Sequence, residues 1–186
     1  MEERKIQIDH RLEQKIGFDR IRQIISDRCS TSYAVDKVFN ENFSNKPGTI
    51  RGRLLLTDEM RLIMMFEDGF PSGGFIDCID FLRPLESTSS AIDLVSLRKL
   101  RTMLDTLRKV TSFFEGIKDG VYPNLKRMSA HVMNFPDVQR RIDAIIDRYG
   151  EVKDTASDML YEIRKSLREK EGAISRRMSA ILKKAQ

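Results

Sequence analysis

Apolar residues recur every three or four positions through most of the chain, which is the spacing of one face of an α-helix. The clearest stripe covers residues 91–114, with candidate N-caps at Ser87–Ser90. Shorter stripes lie on either side, separated by Gly-, Pro-, Asn- and Ser-rich segments at 40–48 and 70–74. Residues 75–82 fit either a short helix or a strand. The pattern predicts an all-α fold, a helical bundle.

The last apolar stripe differs from the others because no helix-ending residue follows it. We expect this helix to begin near Asp154 or Thr155, since Thr155 and Asp158 have capping-box spacing. Its apolar positions are Ala156, Leu160, Ile163, Leu167, Ile174, Met178, Ile181 and Ala185, with Lys170 taking the missing step. The mean step is about 3.6 residues, the period of a straight helix. We therefore predict a core domain at 1–153 and a long projecting helix at 154–186, truncated at Gln186 within a longer protein.

The net charge is concentrated in this last helix. The whole chain has a formal net charge of +5, from 33 Lys and Arg against 28 Asp and Glu. Residues 161–186 hold 8 of these cations and 3 of the anions, so the charges of the preceding residues cancel. A basic segment of this kind can bind phosphate backbones, although a solvated helix face would have the same composition.

Several classes of protein are disfavoured by the same sequence. The longest apolar run has five residues, Leu62–Phe66, and the charged N-terminus is unlike a signal peptide. We therefore expect a cytoplasmic protein with no membrane partner. Cys29, Cys78, His10 and His131 are too widely spaced for a zinc motif, and both cysteines are expected to be free thiols.

Candidate catalytic groups are few. The pairs Asp77/Asp80 and Asp143/Asp147 are spaced to share one face of a helix, where two carboxylates can bind Mg²⁺ or act as acid and base. However, neither pair has a glycine-rich phosphate loop nearby, and the Gly-x-Ser-x-Gly and Gly-x-x-x-x-Gly-Lys-Ser/Thr motifs do not occur. We interpret both pairs as solvated acids, and predict no catalytic residue, metal or cofactor for this segment.

Two stretches resemble a known family. The first is Leu12–Arg22, followed by Cys29. The second is Tyr149–Arg164, which continues into Ile174-Ser-Arg-Arg. From Gly150 to Arg164 it has the pattern Gly-x-x-x-Asp-x-Ala-Ser-x-x-Leu-x-x-Ile-Arg. Both resemble the N-terminal region of the second-type bacterial MutS family, the MutS paralogue that usually carries a C-terminal Smr nuclease domain. Residues 40–90 match that region only in their helical rhythm.

The resemblance implies a fold and a function. Members of this family are ATP-driven dimers similar to clamps, which enclose branched DNA or, in some members, collided ribosomes. Their N-terminal helical region is similar to the core and lever domain of MutS, which joins the ATPase to a coiled-coil arm. On this basis residues 154–186 start the lever or arm. The resemblance also implies that the full-length protein is a homodimeric ATPase that uses ATP and Mg²⁺. Endonuclease activity of the full-length protein is a further expectation.

One family feature is not expected here. The mismatch-reading domain of MutS, with its Phe-x-Glu wedge, is absent from the second type. Phe113-Phe114-Glu115 has the wedge spacing but ends a long helix, where both aromatic side chains are expected to pack. We therefore predict no wedge at this position.

Our preferred hypothesis is a non-catalytic core and lever module of a MutS-like ATPase in DNA mismatch repair, suppression of recombination or ribosome rescue. The module would help to clamp branched DNA or rRNA and to couple ATPase motion. The predicted phosphate contacts are Arg164, Lys165, Arg168, Arg176, Arg177, Lys183 and Lys184. These cannot all lie on one side of a helix, and about half could reach one backbone. The alternatives are a lever that contacts protein only, and a stand-alone adaptor that binds proteins through the apolar side of the last helix and has no nucleic-acid role.

Overall fold

The computed structural model describes residues 10–87 and 90–185, and in this part the chain is helical. The helices are α1 (His10–Ile16), α2 (Phe18–Ser26), α3 (Ser32–Asn40), α4 (Pro47–Phe66), α5 (Ile79–Leu82), α6 (Leu94–Gly116), α7 (Pro123–Ser129), α8 (Pro136–Ile145) and α9 (Asp158–Ala185). The described residues contain no strand, and their one β interaction is an isolated bridge between Ile146 and Val152. The predicted all-α fold is confirmed. No described helix is both long and apolar enough to cross a membrane.

The structure decides one element that the sequence left open and moves the start of another. The ambiguous segment at 75–82 contains the short helix α5, which leads into a 3-10 turn at Arg83–Glu86. The long helix α6 begins later than expected and is capped by Asp93, whose Oδ1 accepts a 2.9 Å hydrogen bond from the Ser96 amide. The prediction that Ser87–Ser90 caps this helix is wrong, because the extended backbone of Asp93 brings its own carboxylate to the first turn. Thr88 and Ser89 lie outside the described residues.

The chain divides into two compact units, Met1–Asn134 and Phe135–Gln186. The core of the first unit is a small cluster of Ile63, Phe114 and Leu125, which belong to α4, α6 and α7. Partly buried residues pack around it: Leu56, Met60, Phe70, Val110, Phe113 and Tyr122. The Phe70 ring meets Phe113 and Phe114 edge-on, with centroids 5.2 and 6.2 Å apart. Both aromatics of the Phe-x-Glu sequence therefore pack inside this unit, as predicted.

A buried carboxylate joins α4 to α7 in the same unit. The Glu59 side chain accepts hydrogen bonds from the backbone amides of Asn124 and Leu125, at 3.1 and 2.7 Å, and from Asn124 Nδ2 at 2.6 Å. These are amides of the first turn of α7, which have no partner within the helix. Glu59 therefore caps α7 from a different helix.

A buried arginine joins the first three helices. Arg22 Nη2 donates to Glu13 Oε1 at 2.9 Å and to the Glu41 carbonyl oxygen at 2.7 Å, and its Nη1 donates to the Val38 carbonyl oxygen. Its guanidinium also lies 5.1 Å from the centroid of the Phe18 ring. Glu13, Phe18 and Arg22 all fall within the first stretch of family resemblance, so that stretch has a structural role here.

The second unit contains α8, a tight turn and α9. Ile142 and Ile146 are its most buried side chains among the described residues, and Ile146 is only 1% exposed. The predicted division at residue 153 separates a core from a lever by function, and it stays a prediction.

Candidate nucleic-acid interface

A tight turn precedes the basic helix α9. The Asp147 amide donates to the Glu151 carbonyl oxygen and the Lys153 amide donates to the Ile145 carbonyl oxygen, both at 2.9 Å. Gly150 lies in this turn with φ 82°, a left-handed conformation that favours glycine. The first residue of the family pattern is therefore required by the backbone.

The start of α9 lies three or four residues after the predicted start near Asp154 or Thr155. Residues 154–156 form a separate 3-10 turn, and α9 begins at Asp158. Ser157 caps the helix, since its Oγ accepts a 3.2 Å hydrogen bond from the Leu160 amide. The capping box predicted for Thr155 and Asp158 is wrong, because the extended backbone at Ser157 places the serine hydroxyl at the free amides instead.

Two arginines of α9 form ion pairs with the same carboxylate, that of Asp154. Arg164 Nη1 donates to Asp154 Oδ1 at 2.5 Å, and Arg168 Nη2 donates to Asp154 Oδ2 at 2.6 Å. Arg164 Nη1 also donates to the Val152 carbonyl oxygen at 2.9 Å. These bonds fasten the first turns of α9 to the segment before it. We call Asp154, Arg164 and Arg168 the Asp154 clamp.

The clamp has an electrostatic consequence for both partners. The hydrogen bonds from Arg164 and then Arg168 hold the pKa of Asp154 below its ordinary value of 3.8. Conversely, the single carboxylate of Asp154 compensates half of the positive charge of the two arginines. Two of the seven predicted phosphate contacts are thus engaged with the protein itself.

The family pattern from Gly150 to Arg164 describes this joint between turn and helix. Gly150 permits the turn, Asp154 and Arg164 form the clamp, and Ser157 caps the helix. The role of Asp154 was missed by sequence reasoning. Only its place in the pattern pointed to it, because no local spacing rule joins Asp154 to an arginine ten residues later, across a 3-10 turn.

Three of the remaining predicted cations lie on one side of α9. At 100° per residue, Lys165, Arg176 and Lys183 fall within about 20° of one line along the helix. All three are exposed. The line is about 27 Å long, at 1.5 Å per residue. We call these three residues the basic row.

The other predicted cations lie elsewhere. Arg177 is about 100° around the helix from Arg176, on the side of Lys170, and the structure does not place it with the basic row. The side chain of Lys184 is outside the described part of the chain. The structure therefore divides the seven candidates into the basic row, the two clamp arginines and these two residues.

The apolar stripe of α9 lies opposite the basic row. Its centre is about 180° around the helix from the basic row, and five of its side chains are more than half exposed. These are Ile163, Leu167, Ile174, Met178 and Ile181. We call them, together with the half-buried Leu160, the apolar face. One helix thus presents hydrocarbon on one side. On the other side the basic row lies among the carboxylates Asp158, Glu162 and Glu169, which the same 100° step places within about 60° of it.

The two carboxylate pairs do not form the shared helix faces that their spacing predicted. Asp77 precedes α5, and its Oδ2 accepts a 2.5 Å hydrogen bond from the Ser32 amide. Asp147 follows the end of α8, and its carboxylate accepts from the amides of Tyr149 and Glu151. The Glu151 amide is the main cause that lowers the pKa of Asp147. Each pair is split by a helix end, and these carboxylates satisfy backbone amides.

The first unit contains an apolar cavity of about 480 Å³ next to α3, lined by Tyr33, Phe75, Ile76 and Met103 among others. Cys78 borders this cavity, and burial raises the pKa of its thiol, which makes it a poor nucleophile near neutral pH. No group of three or more His, Cys, Asp or Glu side chains that could hold a metal ion occurs among the described residues.

Comparison with known proteins tests the resemblance to the second-type MutS family. No family model matches the chain. It is 23% identical over 171 residues to Endonuclease MutS2 of Alkaliphilus oremlandii, which covers 91% of this chain and 22% of that protein. It is 26% identical over 176 residues to Endonuclease MutS2 of Thermomicrobium roseum, covering 92% and 22%. It is 24% identical over 172 residues to Endonuclease MutS2 of Geobacillus sp., which covers 90% of this chain and 22% of that protein. The resemblance to the second-type MutS family is confirmed.

The similarity to MutS2 proteins extends along nearly the whole chain. It supports a MutS-family role for this segment. The chain spans about a fifth of the length of the curated relatives it matches.

Proposed function

We propose that this chain is the non-catalytic core and lever module of a MutS-like ATPase that acts on DNA or rRNA. In this proposal α9 is the lever, and its basic row contacts the phosphate backbone. The full-length protein would be a homodimer that uses ATP and Mg²⁺. The observation that carries the proposal is the basic row on a long exposed helix, in a chain similar to MutS2 proteins over about nine-tenths of its length.

The joint at the base of α9 supports the role of a lever. A lever must turn together with the segment that moves it. The Asp154 clamp and the Arg164 bond to the Val152 carbonyl oxygen fasten the helix at two points, one turn apart along α9. With its base held in this way, a rotation of the joint is carried along about 40 Å of helix.

The basic row supports contact with phosphate. Lys165, Arg176 and Lys183 are exposed, and none of them is engaged by the Asp154 clamp. Contacts to phosphate from long cationic side chains position a protein on nucleic acid without reading its sequence. The module would therefore bind by shape and charge, in agreement with branched DNA or rRNA as the substrate class. The similarity to MutS2 proteins favours this proposal over a stand-alone adaptor.

The test is the salt dependence of binding to a fluorescent DNA duplex, measured by anisotropy. Three phosphate contacts give a slope of log K against log salt of about −2.7. Replacing Lys165 and Arg176 by Gln removes two contacts, so the slope falls to about −0.9 and the affinity drops at low salt.

The matched control is Lys170→Gln/Arg177→Gln, which removes the same charge from the same helix on another side. We expect this control to keep a slope near −2.7. If the two double variants weaken binding equally, contact through the basic row is refuted and only net charge matters. If the unsubstituted chain shows no salt-dependent binding, the lever contacts protein only.

A further inference from the structure

The turn before α9 carries the most exposed aromatic side chain of the described residues. This side chain is Tyr149, which is 71% exposed. It lies with Arg148 at the tip of the turn, which closes with a 3.1 Å hydrogen bond from the Gly150 amide to the Asp147 carbonyl oxygen. The hydrogen bond and the ring contact that its side chain makes within the described residues are both with Arg148. The rest of the fold therefore makes no polar or ring contact with this side chain.

The backbone of the turn holds the tyrosine ring in a defined place. One oxygen of the Asp147 carboxylate accepts hydrogen bonds from the amides of Tyr149 and Glu151, at 2.8 and 2.9 Å. Ile146 and Val152 close the turn as an antiparallel bridge. Since a tyrosine side chain has few torsions, a ring on a fixed backbone loses little freedom when a ligand binds it.

Arg148 adds a positive charge beside the ring. Its guanidinium lies 4.7 Å from the ring centroid of Tyr149, and its Nη2 donates a 2.6 Å hydrogen bond to the Tyr149 hydroxyl. The arginine covers one face of the ring, and the other face is open to solvent. Arg148 forms no ion pair among the described residues, and most of the donors of its guanidinium remain for a ligand. The tip thus offers a flat ring face and a cation to one ligand.

We propose that Arg148 and Tyr149, here called the stacking pair, bind one unpaired nucleotide of the nucleic acid on which the protein acts. The base lies on the open face of the Tyr149 ring, and Arg148 donates hydrogen bonds to the phosphate of the same nucleotide. This inference rests on the proposed function and names the part of the nucleic acid that the turn contacts. A paired base within a duplex is covered on both faces by its neighbours, so only loops, gaps and branch points offer a free base.

The stacking pair lies near the base of α9, where the basic row begins. Val152 comes three residues after Tyr149, so their Cα atoms are at most about 11 Å apart. The Val152 carbonyl oxygen accepts a 2.9 Å hydrogen bond from Arg164 Nη1, and Lys165, the first residue of the basic row, follows Arg164 directly. In this arrangement the basic row holds a paired segment by its phosphates, and the turn holds the adjoining unpaired base.

The experiment compares binding to two fluorescent DNA duplexes of equal length by anisotropy, at one low salt concentration. One duplex is fully paired, and the other has a central loop of unpaired bases. Both have the same number of phosphates, so a difference in affinity reports the unpaired bases. The unsubstituted chain should bind the looped duplex at least about fivefold more tightly, which is the low end for one stacked base. Tyr149→Ala should bind both duplexes equally, with its affinity for the paired duplex unchanged.

Matched variants separate stacking from other effects. Tyr149→Phe keeps the ring and should keep the preference for the loop. Tyr33→Ala removes a tyrosine that is 62% exposed in the first unit, and it should also keep the preference. Arg148→Gln should lower the salt slope on the looped duplex by about 0.7, the value for one phosphate of a single strand. Far-UV circular dichroism checks that each variant keeps its helices.

Two results would overturn the stacking pair. One is an equal affinity of the unsubstituted chain for the paired and the looped duplex, and the other is a preference for the loop that survives in Tyr149→Ala. Either result leaves salt-dependent binding through the basic row untouched. Absence of binding to both duplexes would instead refute the proposed function, and the stacking pair with it.

The same paired and looped oligonucleotides made as RNA identify the source of the nucleotide. A preference for the loop that depends on Tyr149 supports the stacking pair in either nucleic acid. Its size in DNA compared with RNA shows which of the two supplies the base.

Discussion

The base of α9, which includes the turn and the 3-10 segment before the helix, is specified in a different way from the distal half. At the base, from Gly150 to Arg168, a left-handed glycine, a serine cap and the Asp154 clamp are specific contacts of single residues. In the distal half, none of the described side chains at 169–183 forms an ion pair or a side-chain hydrogen bond. The base is therefore held by specific contacts, whereas the surface of the distal half follows from the periodic order of its apolar and charged residues.

The largest expected difference is between an isoleucine beside the base, Ile146, and one in the distal half, Ile174. Ile146→Ala empties a fully buried site beside the turn and should lower the free energy of unfolding by about 2–5 kcal/mol. Ile174→Ala removes a side chain that is 62% exposed and should change the free energy of unfolding by less than about 0.5 kcal/mol. Urea denaturation followed by circular dichroism, at a concentration where the chain is monomeric, measures both. Equal losses would show that the distal half is also packed.

A glycine in each region gives a second comparison, with opposite signs. Gly150→Ala forces a Cβ into a backbone with φ 82° and should cost about 1–2 kcal/mol. Gly172→Ala adds a Cβ whose nearest neighbour is Arg176 Nη1 at 3.8 Å, so it should stabilise the helix by about 0.5–1 kcal/mol. The same denaturation experiment reads both signs. A loss on Gly172→Ala would mean that this position needs glycine for contact with another surface.

The smallest effect is a pH dependence confined to the base. The pKa of Asp154 is lowered in the folded chain and returns to about 3.8 on unfolding. The clamp therefore stabilises the fold above pH 3.8, and this contribution is lost as pH falls through the lower folded pKa. Between pH 5 and pH 2, the melting temperature of Asp154→Asn should fall less than that of the unsubstituted chain.

Glu169→Gln, in the distal half, is the control for this titration, because the Glu169 side chain makes no ion pair among the described residues. Its melts should follow those of the unsubstituted chain at every pH. If Asp154→Asn behaves like this control, the clamp does not persist in solution.

The helices and their apolar faces could be predicted from the sequence because both follow from local periodicity. The stripe in α6, the closing stripe in α9 and the packed Phe113 and Phe114 all appear where the spacing indicated. Helix starts were less predictable. Asp93 and Ser157 cap helices for which several Ser, Thr and Asp residues competed, and the conformation of the backbone decided between them.

The candidate site could be predicted only in part. The concentration of cations in the last helix and the line through Lys165, Arg176 and Lys183 follow from residue order alone. The use of Arg164 and Arg168 in a clamp does not, since their partner Asp154 precedes the helix and reaches them only through the folded turn.

Residue order alone thus determined the all-α class, the two faces of α9 and the family resemblance, because helical periodicity and motif spacing act over a few neighbouring residues. Tertiary structure decided which charges are already paired, which caps are used and which glycine must be left-handed. These contacts depend on where separate segments meet. Asp154 contacts Arg164, and Glu59 contacts the amides of α7, only after the chain between them has folded.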